Sequence, residues 1–562
     1  MKLSKIIYRF TGATLLLCFI SMGCTNLDTI WYNKVTPDTF YKSETDVLMA
    51  LYRPFTHARW YESYDRWKLQ EVTADQLITT VKGPHWYNGG ENHRYLHHEW
   101  TPDDNWIWET WRGTTMGIAI AIDTKLDLEK VDYTAIALTE QDKDDHINQL
   151  NTLIGYFYLR GLDFFGDFII FTDPTQPVEG RRTARKVYEH TEQIFKDAIP
   201  LLYGKDKGQK EEGAIRKATA AAMLARMYFN SETYIGEDRY AECAQICQDI
   251  IDQKYGYYEL AASWNDPHGF TNDQSPSVIW SFPSQFNKLQ YDVFWGDFYH
   301  YNSSIYFDID GAANNGLHLA PSLYPGGQKS YKDDFKLGRP YEKFNDKDLR
   351  KKPYHYLGGT NYEGMFLVGD QISPLTGKEC KGTQEYNGEL ITFVDYVAKM
   401  KDLEPGQDPA TLPSDVGQGE ENTGIRLVKV PIPNMANQDL KWGADNPVIR
   451  LEEIYYMLAE CKMRAGDKKG AAELINAVRK RAFENNADPD PVTEANLDKY
   501  RMIDEWGIEF LGEGRRRTDL LRWDMYTTEK WWDHQPSDPS RKRFPVPTNA
   551  IAGNNSLEAD PS

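Results

Sequence analysis

The stretch "LAECKMRAGDKKGAAELINAVRKR" at residues 458–481 puts small residues where two helices must approach: Ala459, then a Gly466-Asp467 turn, then Ala471 and Ala477. That is the spacing of a tetratricopeptide helix–turn–helix. A helix pair of this kind buries its apolar face only by stacking on neighbours, so it predicts a scaffold of paired helices. A looser version lies at 215–253. There the Ala-rich "IRKATAAAMLARMYFNSETY" (215–234), a strong helix former, is followed after a short turn by "RYAECAQICQDIIDQ" (239–253), with Ala225 and Ala241 in the small-residue places. The long interval between the two pairs argues against one continuous solenoid.

Outward from these pairs, residues 40–60 and 100–255 show helical periodicity. "DDHINQLNTLIGYFYLRGLDFFGD" (144–167) aligns Ile147, Leu150, Ile154, Phe157 and Tyr158 on one face, and Gly166 ends the run. "RKVYEHTEQIFKDAIPLLYG" (185–204) aligns Val187, Ile194, Ala198 and Leu201. Trp106, Trp108 and Trp111 open a helix running to Leu126 and read as core. Residues 256–445 are rich in Gly, Pro, Asn and Asp with short aromatic segments such as "SVIWSFP" (277–283), which is irregular loop and short-strand material. Within them, 401–424 reads as a solvated surface loop. Long helices return over 447–525. The expected fold is mainly α, with tetratricopeptide-like helix pairs as scaffold and a large irregular region carrying any ligand face.

At the N-terminus, Lys2, Lys5 and Arg9 precede a short apolar run, Ala13 to Ile20, and then Ser21-Met22-Gly23-Cys24. A bilayer core needs about 20 apolar residues, so the run reads as a cleavable export signal, residues 1–23, and not as a membrane span. Its end resembles the lipobox of bacterial lipoproteins, in which Cys24 is lipidated and becomes the new N-terminus. Anchoring takes more than one acyl chain, as such a cysteine would carry.

The net charge is −20, and the signal holds three of the positive charges. An acidic surface argues against nucleic acid and anionic lipid as partners. Of six cysteines, Cys18 lies in the signal and Cys24 at the anchor, leaving Cys243, Cys247, Cys380 and Cys461, which is no disulfide framework for so long a chain. Cys243 and Cys247, at i and i+4 on a helix, read as small residues in packing. The chain carries 16 Trp, 35 Tyr and 24 Phe, a complement that fills cores and also suits stacking on sugar rings.

Four motifs in order resemble the SusD/RagB family of outer-membrane lipoproteins. They are "GYFYLRGLDFFGDFIIFTDP" (155–174), "NPVIRLEEIYYMLAEC" (446–461), "IDEWGIEFLGEGRRRTDLLRW" (503–523) and "KRFPVPTNAI" (542–551). The third carries Glu505, Glu509-Phe510, Glu513, Arg516, Asp519-Leu520 and Arg522-Trp523. Its charges read as structural and not catalytic, with Glu505/Glu509 and Glu513/Arg516 as neighbours along a helix. The resemblance divides the chain into the signal, an N-terminal helical region (24–255) and a C-terminal region (256–562). It implies a non-enzymatic protein on the outer face of the outer membrane, lipid-anchored, capturing an oligosaccharide for a SusC-like TonB-dependent transporter. The RagB branch keeps peptide or another nutrient open as cargo, and a surface glycoside hydrolase is the third reading.

Sugar sites need flat aromatic faces for the apolar side of the ring and amide, carboxylate or Arg groups for the hydroxyls. Two stretches supply them. In 74–108, Trp86, Tyr87 and Asn88 precede a Gly89-Gly90 turn, and the resemblance implies an aromatic-Gly-Gly element near the ligand face. In "FWGDFYHYN" (294–302), alternation suggests that Trp295, Tyr299 and Tyr301 share one face of an extended segment. "HRYLHHEW" (93–100) sets His93 and His97 at i and i+4, but lacks the His-Glu-x-x-His order of a zinc helix, and its histidines read as satisfied surface or loop groups. No cofactor is implied. Calcium stays open at "DDNW" and "YKDDF", neither of which has an EF-hand-like spacing.

Overall fold

The computed structural model describes residues 40–558, apart from 64, 176, 286, 287 and 289–294 and the side chains of 65 and 295. The expected signal and Cys24 lie outside the described residues. Among these residues no helix is long and apolar enough to cross a membrane.

The scaffold is built from α1 (Asn105–Leu128), α2 (Glu140–Phe165), α3 (Ala184–Ala198), α4 (Lys217–Phe229), α5 (Tyr240–Ile251), α6 (Leu451–Arg464) and α7 (Lys468–Arg479). Each packs on the next in chain order. Local chemistry sets their limits. Thr139 caps α2 by accepting from the Asp142 N–H at 3.1 Å, while the Asp142 carboxylate accepts from the Thr139 N–H at 2.8 Å, a reciprocal capping box. Gly166, at φ +73°, stops the helix. Trp106 and Trp111 of α1 are buried, whereas Trp108 is half-buried.

Two close approaches need glycine. A Cβ on Gly117 would lie 2.6 Å from Cε2 of Phe157, and one on Gly155 would lie 2.6 Å from Cε1 of Phe195. These absent side chains let α1 meet α2 and α2 meet α3.

The helix-pair reading holds, with two corrections. The pair α4–α5 packs directly on α6–α7 through α5 and α6, so the array is continuous in space although about 200 residues of chain separate its halves. Ala241 is exposed. The small side chains facing α6 are Cys243 and Cys247, fully buried with sulfurs 3.9 Å apart, and burial pushes both free thiols up.

The irregular region contributes short antiparallel pairs. β1 (Leu77–Thr79) pairs with β3 (Leu317–Leu319), β4 (Phe366–Leu367) with β5 (Arg426–Leu427), and β2 (Val278–Phe282) with β6 (Asn446–Arg450), the last leading straight into α6. The Leu319 N–H donates to the Ile425 carbonyl at 2.9 Å, which ties the first two pairs together.

The charged stretch at 503–523 is structural; Glu505 and Glu509 are neighbours on one helix as expected, but Glu513 and Arg516 are not. The chain forms α8 (Lys499–Glu509), turns, and resumes as α9 (Arg516–Arg522), so Glu513 lies on neither helix. Arg450 donates to Glu509 at 2.7 Å and to both oxygens of Glu513 at 2.9 Å. Arg350 reaches Glu509 at 2.7 Å and Lys429 reaches Glu513 at 2.8 Å. Glu505 pairs with Arg479, Arg516 with Asp75, and Arg522 with Glu460 and Asp519. All of these residues are buried except Glu513, which is partly covered. Removing one partner of such a pair leaves an uncompensated buried charge, so the cluster locks α6, α8 and α9 to the irregular region.

Candidate ligand-binding site

β1 ends at Thr79, and the chain beyond it, still buried at Thr80 and Lys82, turns back on itself. The Lys82 N–H donates to the His85 carbonyl at 3.1 Å and the His85 N–H returns to Lys82 at 2.9 Å, with Gly83 at φ +52° inside the turn. This tight turn sets His85 and Trp86 at the surface. Trp86 and Asn88 both take positive φ, +68° and +46°, followed by Gly89 and Gly90. A bulky residue in that region is uncommon and stores strain, which tends to gather at binding sites.

Trp86 is half-buried and held ring-first. Its indole N–H donates to the Asn314 carbonyl at 2.9 Å, and its ring lies where a Cβ on Gly316 would come 2.6 Å from Cε2. Asn92 donates to its carbonyl at 3.1 Å, and Arg94 to that of Gly89 at 2.9 Å, pinning the loop to the Glu91–Leu96 helix. Tyr87 is 57% exposed and meets His93 edge-on at 5.8 Å. Asn88 is exposed beside it.

The second predicted stretch comes to the same place. The N–H groups of Asn314, Asn315 and Gly316 donate to the carbonyls of Gly296, Tyr299 and Asp297 at 3.0, 2.8 and 2.6 Å. The 314–316 segment on which the Trp86 ring rests is therefore bonded to the 295–301 segment. That segment is not extended: Trp295–Asp297 forms a 3-10 turn, and Tyr299 and Tyr301 do not share a face. Tyr299 is 3% exposed, packed edge-on against Phe307 at 5.1 Å, and belongs to the core. Burial raises its hydroxyl pKa, since the phenolate would be desolvated. Tyr301 is half-buried, 5.8 Å from the His85 ring, and accepts from Gln384 Nε2 at 3.4 Å. The Trp295 side chain lies outside the described residues.

Sequence reading passed over His85, Lys82 and the 383–385 loop. Glu421 organises that loop. It accepts from His300 Nε2 at 2.8 Å, from the Thr383 N–H at 2.6 Å and hydroxyl at 2.9 Å, and from the Gln384 N–H at 2.9 Å. Despite burial, these donors hold its carboxyl down at about 2. The partners lie 37 to 121 residues apart in the chain, a separation that leaves no local pattern to read.

Of the histidines of 93–100, His97 and His98 have polar partners, whereas His93 meets the Tyr87 and His97 rings edge-on and its Nε2 has no hydrogen-bond partner. His98 is buried, not at the surface, with Nε2 2.9 Å from the Thr73 carbonyl oxygen and Nδ1 2.8 Å from the Ser537 hydroxyl. His97 lies 3.2 Å from Asp533, which raises its pKa. A cavity of about 120 Å³ lies elsewhere, lined by Glu62, Arg226, Asp445, Glu453 and Arg515 among others. Arg226 and Arg515 both pair with Glu453 there. This cavity belongs to the ion-pair cluster and not to the aromatic face.

The SusD family model matches residues 263–559. The starch-binding protein SusD of Bacteroides thetaiotaomicron is 33% identical over 438 residues, 72% of this chain and 69% of that protein. Among solved structures, a SusD superfamily protein from Parabacteroides distasonis superposes with a TM-score of 0.65 at 14% identity, covering 93% of this chain and 98% of that one. Surface glycan-binding protein A from Bacteroides thetaiotaomicron, in complex with laminarihexaose, superposes with a TM-score of 0.58 at 16% identity over 92% and 98%. These two likenesses establish the fold.

Proposed function

Because this chain belongs to the SusD family, we propose that it is a non-catalytic, lipid-anchored surface protein that captures oligosaccharides and passes them to a SusC-like TonB-dependent transporter. The observation that carries the sugar reading is the fixed Trp86 ring, with the exposed Tyr87 next to it in the chain and Tyr301 beside the adjoining His85. A rigid indole offers stacking area at little cost in conformational entropy. The names of the relatives, a starch-binding protein and a surface glycan-binding protein, point the same way. The anchor and the transporter rest on the lipobox and on the family resemblance.

The non-catalytic reading has a physical support. Hydrolysis of a glycosidic bond uses two carboxylates, one of them kept protonated as general acid. Glu421, one of the buried carboxylates at this face, is saturated by donors and held ionised, so it is not that acid.

The test is calorimetric titration of the full chain in detergent against plant, host and microbial polysaccharides, with reducing ends assayed in the same tubes. Saturable binding without new reducing ends is expected. New reducing ends would overturn the non-catalytic reading, and silence across the panel, with binding of peptides instead, would overturn the sugar reading.

A further inference from the structure

Two cations lie directly beneath the aromatic face. Lys82 and Arg426 are each 0% exposed. Lys82 Nζ donates to two backbone carbonyls, Gly316 at 2.9 Å and Thr80 at 3.4 Å. Gly316 is the residue on which the Trp86 ring rests. Arg426 donates from Nη2 to Asn315 Oδ1 at 2.7 Å, and its Nε and Nη1 have no hydrogen-bond partner. The guanidinium stands 4.5 Å from the centre of the Phe393 ring and is within electrostatic reach of Tyr301. Among the described residues neither cation has a carboxylate within ion-pair distance; Glu385, the nearest acidic influence on Lys82, is bonded instead to the Glu421 N–H at 3.2 Å.

A buried cation without a counter-charge is among the costliest arrangements a fold can hold. The cost is visible: burial pushes Lys82 well down, with Arg426 adding to it, and pushes Arg426 down to about 9. His318, between β1 and β5, is depressed by burial and by the same two cations.

The Gln384 side chain, which reaches Gly83, next to Lys82, and the Tyr301 hydroxyl, is loosely held. The Gln384 side chain lies across Gly83, with Oε1 2.5 Å from where a Cβ would stand. That oxygen has no partner, and Nε2 makes a single long bond, 3.4 Å, to the Tyr301 hydroxyl. Its backbone is fixed by Glu421, so the side chain can swing away while the loop stays.

We propose that Lys82 and Arg426 form an anion subsite within the Trp86–Tyr301 face, which takes the carboxylate or sulfate of an acidic sugar once the Gln384 side chain moves aside. The inference rests on the glycan-capture reading and narrows it to acidic glycans. The net charge of −20 opposes polyanions at long range, but salt screens exposed charges beyond about 10 Å, so the local pair decides recognition at contact.

The test titrates the full chain in detergent, at constant ionic strength and pH 7, with pentagalacturonate, its methyl ester, a chondroitin sulfate tetrasaccharide, its desulfated form, maltohexaose and laminarihexaose. At least one acidic oligosaccharide is expected to bind about tenfold or more tighter than the neutral ones, a ratio within reach of one charge-assisted hydrogen bond. Preference for pentagalacturonate over its methyl ester would identify a carboxylate, and preference for the chondroitin sulfate tetrasaccharide over its desulfated form a sulfate. In Arg426→Gln the acid-to-neutral ratio should collapse towards one, and Gln384→Ala should raise it. Because an uncompensated buried charge is removed, Arg426→Gln should melt no lower than the parent. If it does not fold, Lys82→Met carries the same test. Neutral sugars bound as tightly as acidic ones would overturn the inference and leave glycan capture standing. An acid preference that survives both substitutions would also overturn it, and no binding of any glycan would overturn both.

Discussion

The indole of Trp86 occupies the space that a side chain on Gly316 would need, with ring atom Cε2 2.6 Å from the missing Cβ. The ring's orientation is thus set by a residue 230 positions away. Adding one methyl group must push the ring off its seat and away from the Asn314 carbonyl. We expect Gly316→Ala to weaken oligosaccharide binding by about tenfold, the scale of one misplaced hot-spot aromatic, with a far-ultraviolet circular dichroism spectrum like that of the parent. Unchanged affinity in calorimetry would remove Trp86 from the site.

Arg450 faces Glu509 and Glu513 in the buried cluster, and its methionine variant should lose about 3–5 kcal/mol, because two carboxylates then lose their shared cation. Denaturant unfolding at pH 7 measures this. The sign with pH follows from the shift: the cations around Glu509 hold its folded pKa at about 2, below the unfolded value near 4.3. Its contribution is present above about pH 4.3 and is lost as pH falls towards 2. Arg450→Met should therefore be less acid-sensitive than the parent, and parallel pH profiles would contradict the assignment.

Glu71 behaves oppositely. It is 0% exposed, accepts from the Arg515 N–H at 3.0 Å, and burial raises its carboxyl to about 7. Between about pH 4.3 and 7 the folded state keeps a proton that the unfolded state releases, so stability falls as pH rises through that window. Glu71→Gln keeps an acceptor and abolishes the titration. Relative to the parent it should gain about 1–3 kcal/mol on going from pH 4 to pH 7. A pH-independent difference would show that Glu71 is ionised in the fold.

At the α1–α2 contact, the Phe157 ring sits on Gly117. Gly117→Ala raises helix propensity but overpacks the interface, and the second effect should win. We expect a loss of about 1–3 kcal/mol, read as a lower melting temperature, where an exposed helical Gly→Ala change would give a gain.

The helices were legible because amphipathic periodicity and caps are local. Thr139, Asp142 and Gly166 state the limits of α2 within a few residues of the ends they control. The candidate site was legible only in part. Trp86, Tyr87 and Asn88 announce a surface loop through the adjoining glycines, and the structure bonds their loop to the 295–301 segment. Tyr299 and Tyr301 looked equivalent two residues apart, yet one ring is in the core and the other is half-exposed. The assumed strand alternation failed because the chain is not extended here: the 3-10 turn at 295–297 leads into turn and bend residues that carry both tyrosines.

By itself the sequence determined a helix-pair scaffold, its family, and the structural character of the 503–523 charges. Those features are carried by composition and spacing within single helices and turns. Only the tertiary structure decided that α5 meets α6 across the irregular region, that Arg450 and not Arg516 holds Glu513, and that Lys82 and Arg426 lie uncompensated beneath Trp86. Such pairings join residues tens to hundreds of positions apart. A buried charge is satisfied, or left unsatisfied, by what folding brings within about 3 Å of it, and no local pattern records that distance.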